Sequence, residues 1–199
     1  MSAGNLWLER RLDIGAVRAA FPYLAQAVYL NTASTGLSWL GQGAAAARFY
    51  DDKARGHEGR SGWRVELEWT QRALGELLRV DTDEISFMGS ASEALNLIAH
   101  AIPLEAGDQV LICEDEFPAV VLAWSPAALR GAELIRAQVA EEHCRTEALV
   151  ARISQRTRVV CVSHVHWCTG TRVDLESIAR ACRREESGGR LHIYRSNTR

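Results

Sequence analysis

The sequence predicts an α/β domain with a mainly parallel sheet and helices on both of its faces. Short runs rich in β-branched residues alternate with segments of helical periodicity, and Pro, Gly or Gly-Asp steps separate them. Two strands joined through a helix usually pair in parallel, because the right-handed crossover lays the helix on one face of the sheet. The predicted strands are residues 85–88, 109–113, 133–137, 157–162 and 191–194.

Four predicted helices lie between these strands, and two precede them. The chain has 199 residues, of which 47% are hydrophobic and 24% charged, so it is long enough for one domain with a core or for part of a larger one. The predicted helices span residues 42–55, 63–79, 92–102, 117–129, 145–154 and 174–186.

Charge and composition limit the partners of the chain. The formal net charge is -2 and the basic residues are dispersed, so we expect small-molecule partners rather than nucleic acid or an anionic membrane. The N-terminal residues lack the apolar core of a signal peptide, and no apolar run approaches the length of a membrane span. Five cysteines without a C-x-x-C pair fit reduced thiols. We therefore expect a cytoplasmic protein.

The stretch Gly89-Ser90-Ala91-Ser92-Glu93 joins a predicted strand to a predicted helix. Ser90 and Glu93 have the spacing of a capping box, in which Ser90 accepts from the N–H of Glu93 and Glu93 accepts from the N–H of Ser90. The small residues also leave backbone N–H groups and the positive end of the helix dipole open to an anion. Plain helix-start chemistry and a phosphate cradle both remain open, because the stretch matches neither common phosphate-loop pattern.

Phe117 follows three acidic residues at the end of the predicted strand 109–113, and Pro118 follows Phe117. Pro suits the first turn of a helix and acids favour its positive end, so helix-start chemistry explains this pattern. The alternative is that Phe117 offers its aromatic face to a flat ligand. The sequence alone favours the first explanation.

Cys161, His164, His166 and Cys168 raise the question of a metal site. If the strand 157–162 continues through them, the last three share one face and Cys161 lies on the other. Four ligands then converge only through a sharp turn, so we expect no metal and instead a buried Cys161 before a polar loop.

Four blocks of sequence follow one another in the order VYLNTASTG, ISFMGSASEALNLIAHAI, GDQVLICEDEFPAVVLAW and RVVCVSHVHWCTGTRVDLESIA. In their order and spacing they resemble the class V aminotransferases, the pyridoxal-phosphate enzymes that include cysteine desulfurases and isopenicillin-N-epimerase-like proteins. The resemblance covers about residues 25–185. It implies the larger domain of fold type I, a homodimer and an amino-acid substrate.

The resemblance implies a pyridoxal-phosphate site built from three segments. The family's phosphate segment falls on Ser90, Ala91 and Ser92, where Ala91 keeps only its backbone N–H. The ring-stacking residue, often histidine in cysteine desulfurases, falls on Phe117, which stacks but exchanges no proton. The asparagine at the ring hydroxyl falls on Trp167, a donor through its indole N–H.

The loop 31–36 is small and polar, as in a turn whose backbone lies close to a ligand. The resemblance aligns it with the family segment that borders the substrate, and implies substrate contacts at Asn31 and Ala33. We therefore expect an N-terminal segment with this loop at residues 1–36 and an incomplete cofactor-binding domain at residues 37–199.

Two residues that the family requires are missing. The family anchors its cofactor through a lysine and holds the ring nitrogen through an aspartate one strand after the SHV block. Tyr194 falls near the expected aspartate, and the only lysine, Lys53, lies in a charged helix end far from the four blocks. We expect a truncated family member without its C-terminal strands or catalytic residues, with weak or absent cofactor binding and no turnover alone.

A missing last strand also has a structural consequence. The resemblance implies the family's strand order, in which the first strand pairs with the last. The strand predicted at residues 85–88 would then lose its neighbour and expose backbone and apolar surface, so we expect marginal stability or aggregation. Two other functions remain open. One is a non-catalytic module that pairs with a full-length homologue, and the less favoured one is a nucleotide-binding domain, which no glycine fingerprint supports.

Overall fold

The computed structural model describes residues 13–138 and 145–185 in full and residues 192–196 for their backbone. The chain forms two compact units, of which the first ends at Ser86 and the second begins at Phe87. The boundary predicted between residues 36 and 37 lies inside the first unit, and the functional division predicted there stays a prediction.

The first unit is helical in its described part, and its two longer helices confirm those predicted at residues 42–55 and 63–79. The helices are α1 (Ile14–Ala19), α2 (Gln42–Ala54) and α3 (Arg60–Leu78). Large apolar side chains stay exposed along α3, among them Val65 (63%), Trp69 (61%) and Leu77 (73%). Throughout the described residues, no helix is both long enough and apolar enough to cross a membrane.

The second unit contains a four-stranded sheet in which every neighbouring pair is parallel. The strands are β1 (Gln109–Cys113), β2 (Glu133–Ala137), β3 (Thr157–Ser163) and β4 (His192–Ser196). Their order is β2-β1-β3-β4, so β1 and β3 lie in the middle. The predicted parallel sheet is confirmed, as are four of the five predicted strands.

Helices cover both faces of the sheet, as the sequence predicts. They are α4 (Ala91–Ala101), α5 (Pro118–Trp124), α6 (Arg145–Val150) and α7 (Leu175–Glu185). Val110 and Ile112 of β1 pack with α4 and α5, whereas Leu111 and Cys113 pack with α6 and α7. Successive side chains of a strand thus enter two separate cores, one on each face of the sheet. Each fully buried Val, Leu or Ile side chain stabilises the fold by about 1.5–3 kcal/mol relative to an exposed one.

The strand predicted at residues 85–88 is wrong. Ile85 has extended angles of φ -108° and ψ 120°, but no described strand pairs with this segment, and a strand needs a hydrogen-bonded neighbour. Phe87 and Met88 are 49% and 37% exposed. The pattern of residues identifies the extended backbone, while pairing requires a partner that the described sheet does not supply.

The helix predicted at residues 117–129 is divided into two segments. α5 ends at Trp124, and a 3-10 segment follows at Ser125–Arg130. Pro126 has no N–H for an α-helical hydrogen bond, so the chain tightens there instead of continuing as one helix.

Candidate functional site

The loops after β1 and β3 form the candidate site. In a parallel sheet, the carboxyl ends of adjacent strands lie at the same edge, where ligands of open α/β folds bind. β1 ends at Cys113 and β3 at Ser163, and the two strands are hydrogen-bonded neighbours. The residues that follow them, 114–117 and 164–174, therefore share one edge of the sheet.

The N-terminus of α4 points toward this same edge. Its C-terminal end lies at the opposite, amino edge, because Arg130 donates to the carbonyl oxygen of Ala99 at 2.9 Å and Gly131 leads directly into β2. The 11 residues of α4 span about 16 Å at 1.5 Å per residue. The helix thus runs back along the sheet, with Ser90 at its far end.

Ser90 is the N-cap of α4, and its side chain accepts from the N–H of Glu93 at 3.1 Å, as the sequence predicts. The second half of the predicted capping box is wrong. The carboxylate of Glu93 accepts from the N–H of Gly89 at 2.9 Å instead of from Ser90. Gly89 makes this possible, because a Cβ there would lie 2.8 Å from the Glu93 oxygen.

Three consecutive N–H groups are left open by this arrangement. Among the described residues, the N–H groups of Ser90, Ala91 and Ser92 have no hydrogen-bond acceptor, and all three residues are exposed. The first N–H groups of a helix carry its positive dipole end. The N-terminus of α4 therefore has the donors and the space that a phosphate requires.

Asp115 links the loop after β1 to α6 through its side chain. Its carboxylate accepts from both terminal nitrogens of Arg145, at 2.5 and 2.6 Å, and Arg145 is only 7% exposed. This bond is the chief reason that the pKa of Asp115 lies below its ordinary value and that of Arg145 above it. The pair is bidentate and charge-assisted, so it fixes the orientation of Asp115.

The backbone carbonyl of Asp115 links the same loop to the loop after β3. His166 Nδ1 accepts from the N–H of Thr169 at 3.2 Å, so its proton lies on Nε2, which donates to the Asp115 carbonyl at 3.0 Å. The indole N–H of Trp167 donates to the same carbonyl oxygen at 3.2 Å. One carbonyl thus holds two successive side chains of the second loop.

Phe117 and Trp167 meet at this edge and form what we call the aromatic corner. Their ring centroids are 5.8 Å apart at an interplanar angle of 77°, and the residues are 45% and 50% exposed. The sheet thus brings together two residues predicted from separate blocks. The indole N–H of Trp167 is engaged by Asp115, and the predicted roles of both residues toward a ring stay predictions.

Glu116 lies behind the aromatic corner and was missed by the sequence prediction. It is 5% exposed, and its carboxylate accepts from the N–H groups of Phe117 and Ser163, both at 3.0 Å, and from the Ser163 hydroxyl. The signal was an acid among three acids at a strand end. Helix-start chemistry explained all three, so nothing in the sequence distinguished the buried one.

The region of cysteine and histidine differs from a continuing strand. β3 ends at Ser163, and Val165 pairs with Arg172 in an antiparallel bridge across a turn that includes Gly170 at φ +70°. Cys161 is buried, as predicted, and burial raises the pKa of its thiol to about 12. The described residues contain no cluster of three or more side chains suited to a metal ion.

The remaining predicted residues lie elsewhere. Asn31 and Ala33 are in the first unit, where the Asn31 carbonyl accepts from the N–H of Ser34 at 3.1 Å, which confirms the turn. Their contact with substrate stays a prediction. Lys53 is exposed in α2. Tyr194 pairs in register with Cys161, and its side chain lies outside the described residues.

Comparisons with known proteins find similarity over most of the chain. The family model described as "Aminotransferase class-V" matches residues 44–192. Probable cysteine desulfurases of Vibrio cholerae and Methanothermobacter thermautotrophicus are each 27% identical to the chain. The first match covers 87% of this chain and 47% of the relative, and the second covers 82% and 42%. The chain spans about half the length of the curated relatives it matches.

Solved structures share the arrangement of strands and helices. A C-DES variant with glycine covalently linked to its pyridoxal-phosphate cofactor has a TM-score of 0.80 at 22% identity, covering 90% of this chain and 49% of that one. The Escherichia coli cysteine desulfurase CsdA has a TM-score of 0.74 at 22% identity, covering 90% and 47%. The predicted partial fold is confirmed.

Proposed function

Because the chain belongs to the class V aminotransferase family, we propose that it is the cofactor-domain portion of a pyridoxal-phosphate enzyme that transforms an amino acid. One observation carries this proposal. The open N–H groups of Ser90, Ala91 and Ser92 lie at the end of α4 away from the amino edge of the sheet, and Phe117 and Trp167 form the aromatic corner at the carboxyl edge. A phosphorylated flat ring has these two requirements, a set of donors and an aromatic surface.

The residues present fit such a cofactor. Ser90, Ala91 and Ser92 would receive the phosphate, Phe117 would stack on the ring, and Trp167 would pack beside it. When bound, the cofactor supplies an electron sink for the substrate's α-carbon. Phe117 has no titratable group, so proton transfer at that position lies outside the chemistry of this chain.

Covalent anchoring is the part of this chemistry that the chain does not supply by itself. Its only lysine, Lys53, is exposed in α2 of the first unit. We therefore propose that the chain alone holds the cofactor by its phosphate and ring, weakly, and turns over no amino acid. The proposal covers aminotransferase-like, desulfurase-like and epimerase-like chemistry alike. The free thiols of Cys113, Cys161 and Cys168 support a cytoplasmic location.

Titration of the chain with pyridoxal phosphate, followed by quenching of tryptophan fluorescence, tests the proposal. We expect saturable quenching in the wild type and at least about a tenfold loss of affinity in Ser92→Asp, because the new carboxylate repels phosphate while suiting a helix start. Ala44→Asp adds the same charge at an exposed position near the start of α2 and is the matched control. Equal affinities of Ser92→Asp and Ala44→Asp would contradict the phosphate site.

The absorption spectrum tests the anchoring. The wild type and Lys53→Ala should give the same spectrum with pyridoxal phosphate, without the band of a lysine Schiff base. Appearance of that band in the wild type and its loss in Lys53→Ala would contradict noncovalent binding.

The second candidate function is a non-catalytic module that pairs with a full-length homologue. The exposure of Val65, Trp69 and Leu77 along α3 favours it, since large exposed apolar surfaces commonly mark interfaces. Co-expression with a full-length homologue carrying a separate tag distinguishes the two functions. A stoichiometric complex that Trp69→Asp abolishes supports pairing, and separate elution of the two chains contradicts it.

A further inference from the structure

We propose that Asp115 is a positioning residue that sets the geometry of the aromatic corner, and thereby the affinity for a flat ring but not for a phosphate. This inference deepens the proposed function and rests on it for its ligand. Asp115 has no aromatic surface of its own, and it acts through Trp167 and His166.

The first step is the double use of one carbonyl. The Asp115 oxygen accepts from His166 Nε2 at 3.0 Å and from Trp167 Nε1 at 3.2 Å. A carbonyl oxygen has two lone pairs, so these two donors fill it. The direction of this one C=O therefore fixes where the indole of Trp167 lies and how it meets Phe117.

The second step is what fixes the carbonyl. The Asp115 carboxylate holds the buried Arg145 in two hydrogen bonds of 2.5 and 2.6 Å. On either side of Asp115, the Glu114 N–H donates to the Ala137 carbonyl at 3.0 Å, and Glu116 is held by Ser163. The side chain of Asp115 and the residues on both sides of it are thus held by three different elements, α6, β2 and β3.

The third step separates the two ends of the ligand. In the described part of the chain, no hydrogen bond joins the open donors at the N-terminus of α4 to Asp115, and the side-chain cap bonds there involve only Gly89, Ser90 and Glu93. Release of the Asp115 carbonyl should therefore disturb the aromatic corner and leave the phosphate donors unchanged. A residue that serves only the stability of the fold would weaken both ends together.

The test compares Asp115→Ala/Arg145→Met with the wild type. Removal of both partners avoids leaving a buried guanidinium unpaired, which by itself would threaten folding. The matched control is Glu133→Ala/Arg156→Met, which removes a pair of 3.1 Å at the amino edge of the same sheet. The first readout needs no ligand. It is the difference in near-ultraviolet circular dichroism between each protein and its Trp167→Phe variant. This difference is the contribution of Trp167, which is large only when the indole has a fixed environment.

We expect the Trp167 contribution to disappear in Asp115→Ala/Arg145→Met and to persist in the control. We also expect about a fivefold loss of affinity for pyridoxal phosphate, the size of one lost aromatic contact, while the affinity for inorganic phosphate, measured by competition, stays unchanged.

Two results would overturn the proposal. One is a Trp167 contribution that persists in Asp115→Ala/Arg145→Met, and the other is a parallel fall of both affinities. If the wild type binds no pyridoxal phosphate, the proposed function fails. The dichroism of the unliganded proteins then still decides whether Asp115 positions Trp167, because it needs no cofactor.

Discussion

Glu116 and Ser163 join the carboxyl ends of β1 and β3. The buried carboxylate of Glu116 accepts from both the N–H and the hydroxyl of Ser163, and its bond to the Phe117 N–H extends the connection to the aromatic corner. These residues are 47 positions apart in the chain. This link fixes the positions of the two loops of the candidate site relative to the sheet.

Replacement of Glu116 by Gln should destabilise the protein. The amide has one acceptor oxygen in place of two, so a buried N–H or hydroxyl loses its partner, at a cost of about 1–3 kcal/mol. Urea unfolding measures the change. Glu114→Gln, at an exposed position of the same loop, should stay within about 0.5 kcal/mol of the wild type. Equal stabilities of Glu116→Gln and Glu114→Gln would contradict a structural role for this carboxylate.

Replacement of Ser90 by Ala should also destabilise the protein, because the N–H of Glu93 then loses the side-chain acceptor of the N-cap. The expected loss is about 0.5–2 kcal/mol in the free energy of unfolding. Ser90→Asn should restore most of it, since Asn caps helices about as well as Ser. Failure of Asn to recover stability over Ala would show that the cap bond is not the cause.

Acidification should lower the stability of the folded protein, because it removes the contribution of the Asp115–Arg145 pair. The pKa of Asp115 lies below its ordinary value of 3.8, so the pair stabilises the folded state above that pH and the contribution is lost as the pH falls through the folded-state pKa. Thermal unfolding over a pH series should show a shallower acid loss in Asp115→Ala/Arg145→Met than in the wild type. The solvent-exposed pair removed by Glu133→Ala/Arg156→Met should change the profile less. Identical acid profiles in the wild type and Asp115→Ala/Arg145→Met would exclude this linkage.

The thiols should differ sharply in reactivity. Burial raises the pKa of Cys113 and of Cys161 to about 12, whereas Cys168 is exposed beside Trp167. In a Cys144→Ser background, which removes a residue outside the described part, iodoacetamide should label Cys168 quickly and the buried thiols slowly. Mass spectrometry of tryptic peptides identifies the labelled residue. In denaturant, the labelling rates of the thiols should become equal. Fast labelling of Cys161 in the native protein would contradict the burial of this thiol in the core.

Local signals in the sequence predicted most elements of the fold. The run at residues 109–113 predicts a strand because none of its five residues is charged and four are apolar, and β1 matches it. The segment 85–88 has a similar composition and forms no described strand, since pairing depends on a neighbour and not on composition. Among the candidate site residues, Ser90 and Phe117 were predicted because each lies in a local helix-start pattern, and their contacts with a ligand stay predictions.

The sequence by itself determined the strands, the helices and the cap at Ser90, because these depend on patterns within a few residues. It also determined the parallel sheet, through the alternation of strands with helices, and the family, through four ordered blocks of sequence. Only the tertiary structure decided three contacts of the site. The Glu93 carboxylate accepts from the Gly89 N–H, Arg145 donates to the Asp115 carboxylate, and the Asp115 carbonyl accepts from both His166 and Trp167. Arg145 lies 30 positions from Asp115 and His166 lies 51, so their contacts arise only when the sheet sets β1 beside β3 and the loops meet at one edge. Such contacts leave no periodic trace in the chain, since they depend on strand register and on the direction of single hydrogen bonds.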